Sequence, residues 1–441
     1  MPSLRNGMLK GEIKQVWRLS LPAILTQITT IAMQYIDSAM VGSLGANASA
    51  SIGLVASTTW LFNGIPYAVA AGFSVQVAHS VGAKNIKHTK SIVKHGLITA
   101  IFISLLVCAL GLLISEKLPV LLGGSEAINY DATLYFITFS LMLPFFQMNC
   151  LASSYLQCAG DMVTPSVLNA VMCALDVVFN AIFIPEYKVL GAGIGTALAC
   201  AVVSIFMMIF CYFRNKELSL LKVEKCQFNF NIIKTAFKIG TPVAVQEVAM
   251  CGAMVATTMI VAPLGAVAIA ANSFAITAES LCYMPGYGIG NAATTLVGRS
   301  IGAREFKTAK RYGNICTAMG GMLMGLTGVI MMVVCPFVFM FLTPVKDVQL
   351  LATEVLRIGL LAESLFGVSI VAAGALRGTG DTFVPSIMNL ASIWVVRIGL
   401  ALILVKPLGL HGVWIAMATE LCVRGLILLA RQITSKYYKS R

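Results

Sequence analysis

A single carboxylate, Asp37, stands inside the otherwise uncharged apolar stretch from Pro22 to Ala50, and Asp176 lies in a second such stretch, PSVLNAVMCALDVVFN. An acid held at the centre of a bilayer costs about 3 kcal/mol on insertion scales, so it rarely faces lipid and marks a functional site. The chemistry open to it is narrow. It can load and release a proton or a small cation, or it can pair with a neighbour such as Gln34 or Asn180 to fix helix packing. Two buried acids close together disfavour having both ionised, which makes room for one proton or cation. The second half of the chain carries Glu247, Glu279, Glu363 and Glu420 with Arg397 and Arg424. Four carboxylates against two guanidinium groups give a net negative set, suited to a cationic amphiphile in a mostly apolar cleft. Glu420 and Arg424 are four residues apart and can pair on one helix, and Arg397 is placed to neutralise Glu363. Substrate or proton roles therefore fall on Glu363 and Glu279, with Glu247 and Glu420 behind them.

The elements that position these groups are membrane helices. With 58% hydrophobic and 11% charged residues over 441 positions, and a mean hydropathy of +0.87, the apolar surface exceeds what one aqueous core can hide. Apolar segments of spanning length lie near 16–40, 50–73, 92–114, 131–152, 164–185, 190–213, 236–260, 266–297, 312–338, 350–373, 383–405 and 411–432. That predicts twelve spans, the 266–297 segment with a turn or broken helix around Met284–Gly288. The formal charge of +13 does not indicate nucleic acid, because Lys and Arg gather in short segments on one side of the predicted spans. By the positive-inside rule both termini are cytoplasmic in the inner membrane. The basic start and the run from Leu19, with no A-x-A-like site after it, read as a retained first span.

The chain repeats itself at an offset of 220 residues. Pro22, Val41, Leu44, Gly45 and Ala46 match Pro242, Val261, Leu264, Gly265 and Ala266; Gly82-Ala83 match Gly302-Ala303; Gly160-Asp161 and Pro165-Ser166 match Gly380-Asp381 and Pro385-Ser386. Asp37 meets Thr257, so one copy carries the charge and the other does not. The expected architecture is all-α and polytopic: an N-terminal six-helix lobe 1–213, a cytoplasmic linker 214–234 and a C-terminal six-helix lobe 235–441, related by a pseudo-twofold along the membrane normal.

The early Pro, the mid-helix Asp, the V-G-x-L-G ending of the first helix, the Gly-Ala before each basic loop (VGAKNIKHTK, IGAREFKTAKR) and the doubled G-D-x-x-x-P turn together resemble the multidrug and toxic compound extrusion (MATE) family. The likeness spans essentially the whole chain. It implies a V-shaped, twelve-helix antiporter exporting organic compounds, cationic or amphiphilic, against inward H⁺ or Na⁺ by alternating access. In that family the coupling site joins the first-helix Asp to an Asn and an Asp on the fifth helix. Here these map to Asp37, Asp176 and Asn180, with the fifth-helix pair inverted. Four residues apart, Asp176 and Asn180 still share one helix face. A Thr that often lines the site on the sixth helix is replaced by Cys200, a poor ligand for a hard cation, which favours H⁺.

Other chemistries find no support. The 12 cysteines are scattered singly without a C-x-x-C pair and read as packing residues. His79, His88, His95 and His411 have no metal spacing, so no metal site is expected, and the three near the first basic loop read as interfacial. The RGTGDT segment lacks a following G-K-[ST]. No nucleophile-and-base set points to an enzyme. The expected partners are small molecules and the lipid bilayer, acting on a monomer with no resident cofactor. A flippase for lipid-linked or polysaccharide intermediates is the alternative, weakened by the small number of basic residues available to hold pyrophosphate.

Overall fold

The computed structural model describes residues 2–220 and 228–438. Residues 221–227 of the expected linker, 439–441 of the basic tail and the side chain of Arg5 lie outside the described residues. Among the described residues every regular element is a helix. Ten helices are long and apolar enough to cross a membrane, and Lys346–Leu360 with Glu363–Gly378, bent by 54°, forms an eleventh span. The helix Val163–Ile209 is itself two, merged across Lys188, whose backbone (φ 53, ψ −123) is not helical. That gives the expected twelve spans. Gly409 (φ 57, ψ −133) breaks the chain in nearly the same way between Gly399–Leu408 and Leu410–Thr434.

Backbone conformation follows the sequence repeat. The Gly-Ala turns before the basic loops end on Lys84 (φ 55) and Arg304 (φ 60). In the G-D-x-x-x-P turns Gly160 and Gly380 share φ 87, a left-handed conformation that only glycine adopts without strain. Asp161 then accepts from the Thr164 N–H at 3.0 Å and from its hydroxyl at 2.6 Å, satisfying the first turn of the next helix. In the second copy Asp381 instead takes a two-pronged bond from Arg431.

Two expectations fail. The helix Ala266–Gly302 runs unbroken through Pro285, because a proline inside a membrane helix is tolerated where local adjustment satisfies the freed carbonyl. The break falls instead at residues 361–362, ahead of Glu363. His95 is not interfacial: it is buried, its Nδ1 lies 2.7 Å from the Ser91 carbonyl, and its Nε2 accepts from the Asn229 N–H at 2.9 Å. The acceptor role at Nε2 fixes the proton on Nδ1, and the ring ties down the chain where it leaves the linker.

The chain forms two compact units, residues 28–244 and residues 1–27 with 245–441. In the first, Phe73, Phe136, Leu143, Leu151 and Tyr155 fill the core. In the second, Phe339, Leu356 and Trp414 do so, and the Trp414 indole donates to Asn272 at 3.0 Å.

Candidate functional site

In the 28–244 unit, the helix Pro2–Gly42 brings Asp37 to the Asp176 and Asn180 face of the helix Val163–Ile209. The Asn180 amide donates to Asp37 Oδ1 at 2.8 Å and to Asp176 Oδ2 at 3.2 Å. One NH₂ group thus bridges two carboxyl groups, and having two acceptors on that side fixes which end of the amide is nitrogen. The carboxyl groups are also within hydrogen-bonding reach of one another. An O–H must donate in such a bond, so it forms when one of the two carries a proton. Asp176 and Asn180 are fully buried while Asp37 is half-buried. Asp176 Oδ1 and Asn180 Oδ1 are buried and have no partner among the described residues. Among the described residues no Lys or Arg pairs with either acid. The arrangement is therefore a set of oxygen atoms with uncompensated negative charge, suited to a proton or a hard monovalent cation.

Backbone shape lets this happen. A Cβ at Gly195, on the returning part of the same helix, would fall onto Asn180 Oδ1, so the close approach needs a residue without a side chain. Tyr135, on the helix Glu126–Cys158, lies within electrostatic reach of both acids. Sequence reasoning missed it, since a lone tyrosine among Leu, Phe and Ile gives no signal beyond packing. Gln34 is exposed and meets its surroundings through its backbone carbonyl, which accepts from Ser38 at 2.8 Å. Cys200 is buried in an apolar cluster with Met172, Ala199 and Val203.

The second unit sorts its charges differently from the expectation. Arg397 does not neutralise Glu363. Its Nε and Nη2 both donate to Glu420 Oε2, at 3.1 and 2.7 Å. Ser392 donates to Glu420 Oε1 at 2.9 Å, and Arg424 Nε lies 3.1 Å from that same oxygen. Glu420, completely buried, is the hub of a closed ionic network. Glu363 is equally buried, yet neither of its oxygens has a hydrogen-bond partner among the described residues, and Glu279, within electrostatic reach, leaves Oε1 unpartnered. Glu363 opens the helix after the bend, where free backbone N–H groups favour a negative charge. Glu247 is half-buried and feels Arg377.

Arg377 is the larger surprise, because a lone basic residue just before a turn fits a topology signal under the positive-inside rule. It lies in the last turn of Glu363–Gly378 and borders a cavity with Arg424, Gln246, Tyr287 and Asn389. The signal was its repeat counterpart, the neutral Gln157: a residue serving only topology has no reason to be charged in one copy alone.

The MatE family model matches residues 22–182 and again residues 242–403. The chain belongs to the MATE family. The two matches start 220 residues apart, the same offset that the sequence repeat shows. A protein named probable multidrug resistance protein NorM in Thermotoga maritima is 27% identical over 450 residues, covering 99% of this chain and 96% of that protein. The multidrug resistance protein NorM of Photobacterium profundum is 24% identical, covering 96% and 95%. A solved structure of a multidrug resistance MATE family transporter in an outward-facing conformation superposes with a TM-score of 0.92 at 20% identity, over 98% of this chain and 97% of that one. That last likeness is one of fold. The protein is accordingly a multi-pass membrane transporter of the MATE type.

Proposed function

We propose that the protein is a multidrug efflux antiporter of the inner membrane, exporting cationic or amphiphilic organic compounds in exchange for inward H⁺ or Na⁺. The observation that carries this reading is the bridge from Asn180 to Asp37 and Asp176, with two buried oxygen atoms left unpartnered and, among the described residues, no guanidinium or ammonium group paired with the acids. A structural lock would have closed on itself, as Glu420 does. An open acid pair in oil stays ready to load a cation. Alternating access then lets the pair load on one side of the membrane and release on the other. Moving one charge across the membrane supplies about 2.3 kcal/mol per 100 mV, enough to build a substrate gradient. Cys200, packed among apolar side chains, gives no ligand for Na⁺, which supports H⁺ as the coupling ion. The basic residues lie toward the cytoplasm under the positive-inside rule, with both termini on that side.

The test is flux in proteoliposomes with ΔpH or ΔNa⁺ imposed separately, using ethidium as the probe, in wild type, Asp37→Asn and Asp176→Asn. Transport driven by one gradient, and lost in both variants, is the expected result. Equal transport by wild type and Asp37→Asn ends the proposal.

A further inference from the structure

The cavity of the second unit has the opposite polarity to the Asp37 site. It is a partly open pocket bordered by Arg377 and Arg424, with no Asp or Glu in its lining. The Arg377 guanidinium makes no ion pair or hydrogen bond among the described residues; Glu247 and Tyr287 are the groups whose charge it feels. Arg424 has one edge against Glu420 and stacks over the Phe366 ring, 5.2 Å from its centroid. Among the described residues Glu420 is the one acid in direct ion-pair contact with Arg397 and Arg424, while Glu279 lies within electrostatic reach of both without touching either. Neutral donors complete the wall. The Gln246 Nε2 donor is nearly unused, meeting only the Met250 sulfur at 4.0 Å, while its Oε1 accepts from Asn389 at 3.0 Å. Asn291 borders the same space.

Guanidinium groups with free N–H edges, side-chain amides and an aromatic floor recognise a planar oxyanion on an otherwise apolar molecule. Resting on the export reading, we propose that this cavity is an anion subsite that takes the carboxylate, or another oxyanion, of an amphiphilic substrate, with Arg377 as its main ligand. The bland alternative is that Arg377 only complements the carbonyl end of its helix. That role needs no free guanidinium edge, no second arginine across the cavity and no exclusion of acids from the lining. The range of exported compounds then extends from cations to zwitterions and acids. The same chemistry would also accept the phosphate of an anionic lipid headgroup.

A matched dye pair tests it: rhodamine 110, which carries a free carboxylate, and its methyl ester, rhodamine 123, which shares the xanthene ring system. Binding to full-length protein in nanodiscs of neutral phosphatidylcholine is read by fluorescence anisotropy. A charge-assisted hydrogen bond to a partly buried group predicts a preference for the carboxylate of about tenfold in Kd. Arg377→Gln brings the ratio of the two affinities near one, and Arg377→Lys keeps part of it. Should Arg377→Gln not run as a monodisperse species, Asn291→Leu, which leaves the charges in place, lowers the same ratio severalfold. A wild-type ratio near one, or an unchanged ratio in a well-folded Arg377→Gln, overturns the proposal. Adding phosphatidylglycerol to the discs identifies the natural source. Competition confined to the carboxylate dye assigns the site to a lipid phosphate, and no competition assigns it to a solute; both keep the oxyanion assignment. The carboxylate-to-ester ratio is a binding readout, so it stands or falls separately from transport. If neither dye nor ethidium is transported under any gradient, it is the export reading that fails.

Discussion

Asn180 gives its amide hydrogens to two carboxyl groups at once, so its loss removes the one amide donor that the two acids share. A charged group that loses a hydrogen bond in a low-dielectric site loses about 1.5–3 kcal/mol. Asn180→Leu is therefore expected to cut ethidium efflux from overproducing cells more than tenfold at unchanged membrane abundance; efflux at the wild-type rate would remove Asn180 from the site. The two fully buried glutamates of the second unit separate by the same logic. Glu420→Gln leaves Arg397 and Arg424 facing one neutral amide, and breaking a buried ionic network costs about 3–5 kcal/mol. Glu363→Gln removes no partner and is expected to leave the melting temperature in detergent unchanged or higher while altering transport. Similar melting curves for the two variants would refute the distinction between a lock and an open acid. Asp37 and Asp176 were legible in the sequence because a charge in oil stands out without any knowledge of neighbours. Asn180 needed the family pattern. Tyr135 was not legible, because a tyrosine in an apolar run fits its local surroundings and only tertiary packing shows what it faces; Arg377 was marked in the sequence only by its neutral repeat counterpart, Gln157.

Helix crossings in the second unit depend on residues with no side chain at all. A Cβ on Gly374 would sit 2.5 Å from the Gly290 carbonyl oxygen, and one on Gly378 2.6 Å from that of Thr294, while the Thr294 hydroxyl donates to the Gly374 carbonyl at 2.8 Å. These are backbone atoms of Ala266–Gly302, which cannot swing aside as a flexible side chain would. Gly374→Val should therefore destabilise by about 1–3 kcal/mol, the usual cost of overpacking, seen as a lower melting temperature in detergent. Gly53→Val, at a position with nothing within 4 Å, serves as the control and should melt as wild type; equal melting of both would show that the crossing can open without cost. Gly195→Ala makes a sharper case, since the nearest atom its Cβ meets is Asn180 Oδ1, ahead of the Asn180 backbone nitrogen at 3.0 Å. It should impair ethidium efflux out of proportion to any change in stability. The existence and number of spans followed from hydrophobic length alone. Their breaks did not: Pro285 and its flanking glycines advertise a kink that the helix absorbs, whereas the 54° bend ahead of Glu363 occurs in ordinary residues that carry no breaker.

At the scale of the whole chain, two copies of one six-helix plan have acquired opposite polarity: an acid pair without a counter-ion in one unit, and a cavity bordered by two arginines in the other. The doubling was plain in the 220-residue offset, but the polarity was not, because the four acids and two arginines picked out of the second half's apolar segments form a net negative set that leaves out Arg377. Under the proposed exchange, this division sets the electrical character of transport. Loading one proton or one Na⁺ on the Asp37 and Asp176 pair changes its charge by one. Exchange of that ion for a monovalent organic cation then moves no net charge, whereas exchange for a zwitterion moves one positive charge inward. At about 2.3 kcal/mol per charge per 100 mV, an inside-negative potential of that size steepens the steady-state gradient of a zwitterion by about fiftyfold and leaves that of a monovalent cation unchanged. Proteoliposomes with a fixed ion gradient and a potential set by valinomycin and K⁺ measure this directly, with ethidium and rhodamine 110 as the two probes. A strong potential dependence of ethidium export would mean that more than one ion enters per turnover, and the Asp37 and Asp176 pair would then have to be joined by a second loading site, for which the unpartnered Glu363 and Glu279 are the groups to substitute next.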